Sequence, residues 1–533
     1  MIIIIMNHKY YIKMKNANKL FSGVAFGLAS MSALFAPTEI IAQNNKPNLL
    51  YIFPDQYRLH ALSIWSNPEY RNILNSVGDP VQTPNLDKLA KQGVIFTQVC
   101  STHPVSSPHR AMLMTGMFPH DNGVEDLNCY KGRTQGVHDE IECLTDVIAK
   151  AGYETAYVGK THWERTEPLF DADGNYVGTQ EAPGGNYVNP FDTYIPEGKG
   201  RHSNKFWFQD LRDDHFDTRT FSNQPELVGG KKDGDVYHPR RFSPALEADV
   251  VIKYLKNEYG ERDASKPFSM IWSINPPHNP YSKITDCDVN IFNQFYRDLK
   301  DNEVLLRKNV KVGEGTQFKD YKTLAQTAKV YFSLVTAVDA EIGRVLKTLD
   351  EKGLSDNTIV VFTSDHGEMM GSHGVGGKNY MSDESFLVPF IIRYPGNIKP
   401  QVSDLMFGST DIMPTMLGMM GLHNMIPQTV AGTDYSKGIM TGDFKGCAKP
   451  LTQLYLRADC KGVRSDRYSY QVNQNGTYVL YDNKKDPYQL SSIKLEDISK
   501  SEALLLKKEL GKWLTKAHDN WSNIKKNRGL IIY

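Results

Sequence analysis

Four apolar runs in this chain each end in polar residues that could bind an ion or move a proton. Asp55 and Gln56 follow Asn48-Leu49-Leu50-Tyr51-Ile52-Phe53, Lys160 and His162 follow Thr155 to Val158, His278 follows Phe268 to Ile274, and Asp365 and His366 follow Thr358 to Phe362. Carboxylate and carboxamide oxygens are hard donors suited to a divalent cation. Lysine and imidazole offer positive charge and a transferable proton to a reacting oxygen. A further cluster, Ser106-Ser107-Pro108-His109-Arg110, supplies hydroxyls and a guanidinium. Taken singly, each of these residues reads as a turn or helix-cap group. Taken together they follow a rule of open parallel sheets, in which ligands gather beyond the carboxyl ends of the strands.

The elements that must position them alternate along the chain. Each apolar run reads as a buried strand. Between the runs lie helical patterns: one capped by Thr83 with Pro84 first, Leu86, Leu89 and Ala90 inward and Gly93 as its stop, then Leu144 to Lys150, Pro244 to Lys256 and Gln326 to Leu349. Val94-Ile95-Phe96 adds a strand. This is the pattern of an α/β fold, a large, mostly parallel sheet sandwiched by helices. This main α/β domain is expected to span 43–426. Within it the periodicity fails from Glu164 to Ser243, where Gly, Pro, Asn and Asp dominate, so 164–243 reads as a loop-rich insertion shaping a pocket. Its Trp207 and Phe208 are expected to face a sugar. From 427 to 533 the texture changes to a smaller C-terminal α+β subdomain. Arg467 to Gln471 and Tyr478 to Tyr481 read there as antiparallel strands, followed by a helix carrying Leu506, Leu510, Trp513 and Leu514.

Composition sets outer limits. The 533 residues carry 61 Lys plus Arg against 61 Asp plus Glu, which excludes a nucleic-acid binder working by bulk positive charge. Residues 1–42 read as a secretory signal: Lys9, Lys13, Lys15 and Lys19 precede Leu20 to Phe35, a run too short and too rich in Gly and Ser to span a bilayer. Cleavage before Gln43 would leave a periplasmic or secreted protein with no membrane anchor. The six cysteines form no C-x-x-C pair, so a zinc ribbon is not expected. Cys129 with Cys143, or Cys447 with Cys460, stand near enough in sequence to pair, and spacing does not decide between pairing and free thiols.

The segment Ser106 to Gly116 resembles the signature of the type I, formylglycine-dependent sulfatases of the alkaline-phosphatase superfamily, in the serine form of bacteria. There a Cys or Ser precedes x-Pro-x-Arg, so Pro108 and Arg110 set the register and make Ser106, not Ser107, the modified residue. Other blocks match in order: Lys46-Pro47-Asn48, Gly159-Lys160-Thr161-His162, Pro277-His278-Asn279-Pro280, and Ser364-Asp365-His366-Gly367-Glu368 through Gly377-Lys378. The resemblance covers nearly all of the mature chain. Three positions depart from the pattern. Gln56 replaces a second Asp and remains a neutral oxygen ligand, His109 stands where Ser or Ala is common, and Phe386-Leu387 lies where a basic residue often precedes Val-Pro.

The resemblance implies a mechanism. Ser106 is oxidised to formylglycine, whose hydrate attacks sulfur and whose return to the aldehyde releases sulfate, an exit closed to a plain serine. One Ca²⁺ is held by Asp55, Gln56, Asp365 and His366, with residue 106 as a further ligand. Arg110, Lys160 and Lys378 hold that residue and the sulfate, His278 protonates the departing alcohol, and His162 is the base. His373, in the loop Gly371 to Gly377, reads equally as a substrate contact or a turn residue. The implied partners are a sulfated carbohydrate of glycosaminoglycan or mucin type and an anaerobic-type, radical sulfatase-maturating enzyme. A phosphodiesterase or phosphonate hydrolase of the same superfamily, and a non-catalytic glycan-binding homologue, are the alternatives.

Overall fold

A sheet covered on both faces needs strands that are apolar on both sides. In the computed structural model Asn48–Ile52 is buried throughout: Leu50 and Ile52 enter one hydrophobic core, while Leu49 and Tyr51, with Phe53 just beyond, enter another. Residues 46–127, 129–130, 133–165, 194–211, 214–444, 451–519, 521 and 529–533 are described, so the signal segment 1–42 lies outside them. The main sheet comprises β1 (Asn48–Ile52), β2 (Val94–Phe96), β3 (Glu154–Gly159), β4 (Phe206–Asp210), β5 (Thr220–Ser222), β6 (Phe268–Ser273), β7 (Thr358–Thr363), β8 (Phe390–Arg393) and β9 (Gln401–Ser403). Their order is β9-β2-β8-β7-β1-β6-β3-β4-β5, and every strand except β8 and the edge strand β5 runs in one direction. The carboxyl ends of β1, β3, β6 and β7 therefore share one edge.

Helices α1 (Pro84–Lys91), α4 (Ser243–Lys256) and α5 (Tyr321–Glu351) pack with Leu50, Met270, Trp272 and Phe362 on one face. Helices α2 (Ser106–Thr115), α3 (Leu144–Lys150) and α6 (Ile412–Met419) pack with Leu49, Tyr51, Ile271 and Val361 on the other. The start of α1 is closed differently from the sequence reading. Thr83 holds the cap position, but its hydroxyl bonds Ser63 and Asp87, and it is Asp339 of α5 that accepts from the N–H groups of Asn85 (3.2 Å) and Leu86 (2.8 Å). Gly93 follows the helix because a Cβ there would lie 2.1 Å from the Ile392 carbonyl oxygen of β8.

The stretch 164–243 is not all loop in its described part. It contains β4 and β5, and β4 pairs in parallel with β3. Trp207 and Phe208 are fully buried, one in each core, with Trp207 stacked on Tyr157 at 5.4 Å. The expectation that they face a sugar is therefore wrong. A strand buried on both faces shows no alternation, and Phe206-Trp207-Phe208 is too short to stand out among loop-forming neighbours.

After Pro427, β10 (Gln453–Arg457), β11 (Cys460–Arg464), β12 (Tyr468–Asn473) and β13 (Tyr478–Asp482) form an antiparallel sheet in chain order. Helix α7 (Lys500–Lys516) buries Leu506, Leu510 and Leu514 in the same core as Leu454, Tyr470 and Leu480. The pair β10 and β11 was not anticipated, since Leu454 and Tyr455 are both buried and give no alternating signal. Cys143 and Cys460 are free thiols, and their candidate partners Cys129 and Cys447 fall where no side chain is described. Among the described residues no helix is long and apolar enough to cross a membrane.

Removing a fully buried tryptophan deletes apolar contact and leaves a cavity. Trp207→Ala should therefore lower unfolding free energy by about 3–5 kcal/mol in urea titration. A raised KM with unchanged stability would instead return Trp207 to the substrate.

Candidate active site

The β1–β6 ladder continues past both strands, and the Asp55 N–H donates to the Ile274 carbonyl at 2.9 Å. On the neighbouring strand the Lys160 N–H donates to the Ser273 carbonyl at 2.8 Å. Gly159 permits that contact, because a Cβ would sit 2.0 Å from the same oxygen and its φ is +102°. The backbone thus delivers a carboxylate and a lysine to one point. Lys160 Nζ donates to Asp55 Oδ2 at 2.6 Å, and both side chains are fully buried. From α2, Arg110 Nη2 adds a third contact at 3.1 Å, while its Nη1 donates to Ser273 Oγ (2.6 Å) and the Lys160 carbonyl (3.2 Å). Its guanidinium lies over the Phe53 ring at 4.6 Å. Burial by itself would raise the Asp55 pKa, but Lys160, His278, Arg110 and His366 around it, the two cations above all, outweigh it and hold the carboxyl well below its usual range.

Ser106 opens α2 at this centre, 2% exposed. Its Oγ donates to Asp55 Oδ2 at 3.1 Å and lies 3.2 Å from His366 Nε2. His366 Nδ1 donates to the Gly367 carbonyl (3.0 Å), which leaves a lone pair on Nε2 facing inward. Burial pushes His366 down to about 4, so the ring is neutral near pH 7. Nε2 stands 3.6 Å from Asp55 Oδ1 and 3.7 Å from Asp365 Oδ2. Those two buried oxygens accept no hydrogen bond among the described residues, although Arg110 Nε stands 3.4 Å from Asp365 Oδ2 as an ion-pair partner. Asp365 Oδ1, by contrast, is held by the N–H groups of Gln56 and His366, both at 2.9 Å. Two orphaned carboxylate oxygens and an imidazole lone pair turned toward one point are what a cation needs, and Asp55, Asp365 and His366 form a group able to hold one.

Gln56 joins this centre to a second one. Its backbone is left-handed (φ 63°), its amide oxygen accepts from Lys378 Nζ at 2.8 Å, and its amide nitrogen donates to Glu368 and to Tyr281 OH. Lys378 Nζ also donates to His278 Nε2 at 2.8 Å. His278 Nδ1 donates to the Asn279 carbonyl (3.0 Å), so Nε2 is the acceptor from Lys378, and it lies 4.0 Å from Asp55 Oδ1. His162 is buried just after β3 with φ 66°, two residues past Lys160. His373 is half-buried, its Nε2 accepting from Asn309 Nδ2 at 3.2 Å, and braces its loop. His109 bonds Ser101 (2.9 Å) and Ser409 (3.0 Å) and stacks on Phe53, which accounts for an imidazole at that position.

Three positioning groups escaped the sequence reading. Glu368 Oε1 accepts from the N–H groups of Met370 and Gly377, both at 2.8 Å, while Oε2 accepts from Gln56 and Tyr281. It thereby ties the loop before Lys378 to the end of β1. Ser273 orients Arg110. From β10, Tyr455 OH (2.9 Å) and Arg457 (3.3 Å) donate to the Asn379 carbonyl, so the C-terminal sheet props the residue next to Lys378. Only Glu368 left a signal, its place beside Asp365 and His366.

The sulfatase family model matches residues 47–422, and the model for the N-sulphoglucosamine sulphohydrolase C-terminal region matches residues 371–517. The chain belongs to the sulfatase family. An endo-4-O-sulfatase of Bacteroides thetaiotaomicron is 35% identical across 91% of this chain and 95% of its own. An ulvan-active sulfatase of Formosa agariphila is 30% identical across 92% and 85%. A solved structure from B. thetaiotaomicron, described under the metabolism of multiple glycosaminoglycans, superposes with TM-score 0.81 at 34% identity, covering 92% of this chain and all of that one. This sulfatase is a sulfuric ester hydrolase, and its α/β fold with a C-terminal antiparallel sheet is that of its solved relatives.

Residues that orient ligands typically cost 10–100-fold in activity when lost. Glu368→Ala should accordingly lower kcat/KM of this sulfatase by roughly 10–100-fold, with the circular dichroism spectrum retained. Unchanged kinetics would mean that the loop before Lys378 holds itself.

Proposed function

We propose that this sulfatase is exported and hydrolyses sulfate esters of carbohydrates, using a formylglycine made from Ser106 and one bound Ca²⁺. The observation that carries the reading is the position of Ser106 Oγ, 3.1 Å from Asp55 Oδ2 and 3.2 Å from His366 Nε2, at the start of a helix whose Arg110 grips the same carboxylate. The endo-4-O-sulfatase and ulvan-active sulfatase relatives support a sulfated glycan as substrate. A radical maturase acting on Ser106 is the partner this requires.

Asp55, Asp365 and His366 would hold the ion, joined by Gln56 and residue 106, and their oxygen-rich donor set suits a hard cation. When bound, Ca²⁺ supplies a Lewis acid for the sulfuryl oxygens. Formylglycine supplies a nucleophile that can be regenerated without a second hydrolysis of a serine ester. Asp55, Asp365 and Glu368 already balance Arg110, Lys160 and Lys378, so a dication leaves an excess of positive charge that suits an anionic ester. Lys378 and Lys160 present fixed ammonium groups to the sulfate, and Arg110 holds Asp55 in place. His278 accepts from Lys378 at Nε2, so the two form a pair able to pass a proton to a departing oxygen. His162 serves as the base.

The Ser106 peptide from the native host should carry the formylglycine mass, and a divalent-metal chelator should stop sulfate release. An unmodified serine, or full activity in excess chelator after time for exchange, would overturn the respective half of the reading. Ser106→Ala should abolish turnover while Ser107→Ala spares most of it.

Leaving-group protonation predicts a substrate-dependent effect. An alkoxide needs a proton to depart and a nitrophenolate does not. His278→Ala should then lose roughly 10²–10⁴-fold in kcat/KM on a sugar sulfate and far less on an activated aryl sulfate. Lys378→Ala should harm both. Equal losses for His278→Ala would reassign it to holding sulfate.

A further inference from the structure

We propose that Cys143, Asp146 and His202 form a second metal site, outside the active centre, that takes a thiophilic divalent cation of the Zn²⁺ class. Cys143 is the residue before α3, and its thiol is buried and in no disulfide. Its own N–H donates to Asp146 Oδ2 at 3.0 Å. His202 reaches the pair from the turn after Lys199–Arg201, its backbone left-handed at φ 43°. One donor atom from each of the three residues lies within 4.8 Å of the others.

A helix cap alone would account for Cys143 and Asp146 but not for His202. His202 Nδ1 stands 3.4 Å from Asp146 Oδ2, in a residue only 7% exposed whose ring also meets the Cys143 side chain. The 3.4 Å separation matches the edge of a tetrahedron with ligand bonds of about 2.0–2.3 Å, roughly 3.3–3.8 Å. A thiolate, an imidazole and one carboxylate select zinc-like ions over calcium or magnesium, whereas the orphaned oxygens of Asp55 and Asp365 favour a hard ion. A cleft of about 490 Å³ lined by Asp146, Glu164 and His202 gives an ion its way in. Water entering by that cleft would complete the coordination.

The site sits where it can brace the active centre. Trp163, next to His162, packs on His202 at 6.2 Å between rings and donates to the Gly200 carbonyl at 3.2 Å. An ion joining α3 to the turn that carries His202 therefore stiffens the wall behind the loop of Lys160 and His162, and the three residues act as positioning groups.

The test uses the full chain, stripped of metal and loaded with Co²⁺. Thiolate ligation gives a sulfur-to-cobalt charge-transfer band in the near ultraviolet, which an oxygen-ligated ion at Asp55 and Asp365 cannot produce. Wild type should show the band, and Cys143→Ser should lose it. Zn²⁺ should raise the wild-type Tm saturably, with binding weakened more than about 100-fold in His202→Gln. Wild-type protein with no charge-transfer band and no zinc-dependent rise in Tm would overturn the proposal even if neither variant folds.

Discussion

A fully buried carboxylate at the end of β1 dictates much of what surrounds it. Asp55 cannot stay charged in the interior without partners, and taking one partner away from a buried ion pair costs about 3–5 kcal/mol. It obtains three: Lys160 from the end of β3, Arg110 from α2 and the Ser106 hydroxyl from the first turn of that helix. Meeting the electrostatic needs of one side chain therefore locks three elements together. The same contacts aim Ser106 at the buried carboxylate of Asp55 and at His366 beside it, so the demands of stability and of the proposed chemistry coincide at this point.

Around that core lies a second layer whose work is orientation. Glu368 engages Gln56, Tyr281 and two backbone N–H groups, which carries the placement of β1 into the glycine-rich loop before Lys378. Tyr455 and Arg457 of β10 then hold the far side of Lys378 through the Asn379 carbonyl. A flexible lysine on a mobile loop would lose its geometry to rotamer entropy, and bracing from two directions removes that freedom. The C-terminal sheet thus contributes to the centre without placing a catalytic group in it.

Two left-handed residues stand where this orientation matters most. Gln56 and His162 both adopt positive φ directly after strand ends, a conformation that non-glycine residues hold only when surrounding contacts over-determine it. At Gln56 those contacts are the Asp365 carboxylate on its N–H and the Glu368 and Lys378 groups on its amide. The strained turn is what allows one residue to bond Asp365 through its backbone and Lys378 and Glu368 through its side chain.

Strand runs such as Leu49 to Phe53 and Thr358 to Phe362, and the helix patterns between them, were legible in the sequence because buried parallel strands are continuous apolar blocks and helices repeat every 3.6 residues. The polar residues at their ends were legible for the same reason, since parallel strands put all their carboxyl ends on one edge. Proximity in space, however, has no sequence period. Asp339 capping α1, Ser273 holding Arg110, Tyr455 propping Asn379 and His202 meeting Cys143 are contacts between residues dozens to hundreds of positions apart. Trp207 shows the limit from the other side: its side chain suits a sugar platform as well as a core, and only its seat in β4, covered on both faces, decided for the core. Sequence by itself determined the chemistry carried to the sheet edge; tertiary structure decided which groups are desolvated and paired there, because burial and charge balance are properties of the packed chain.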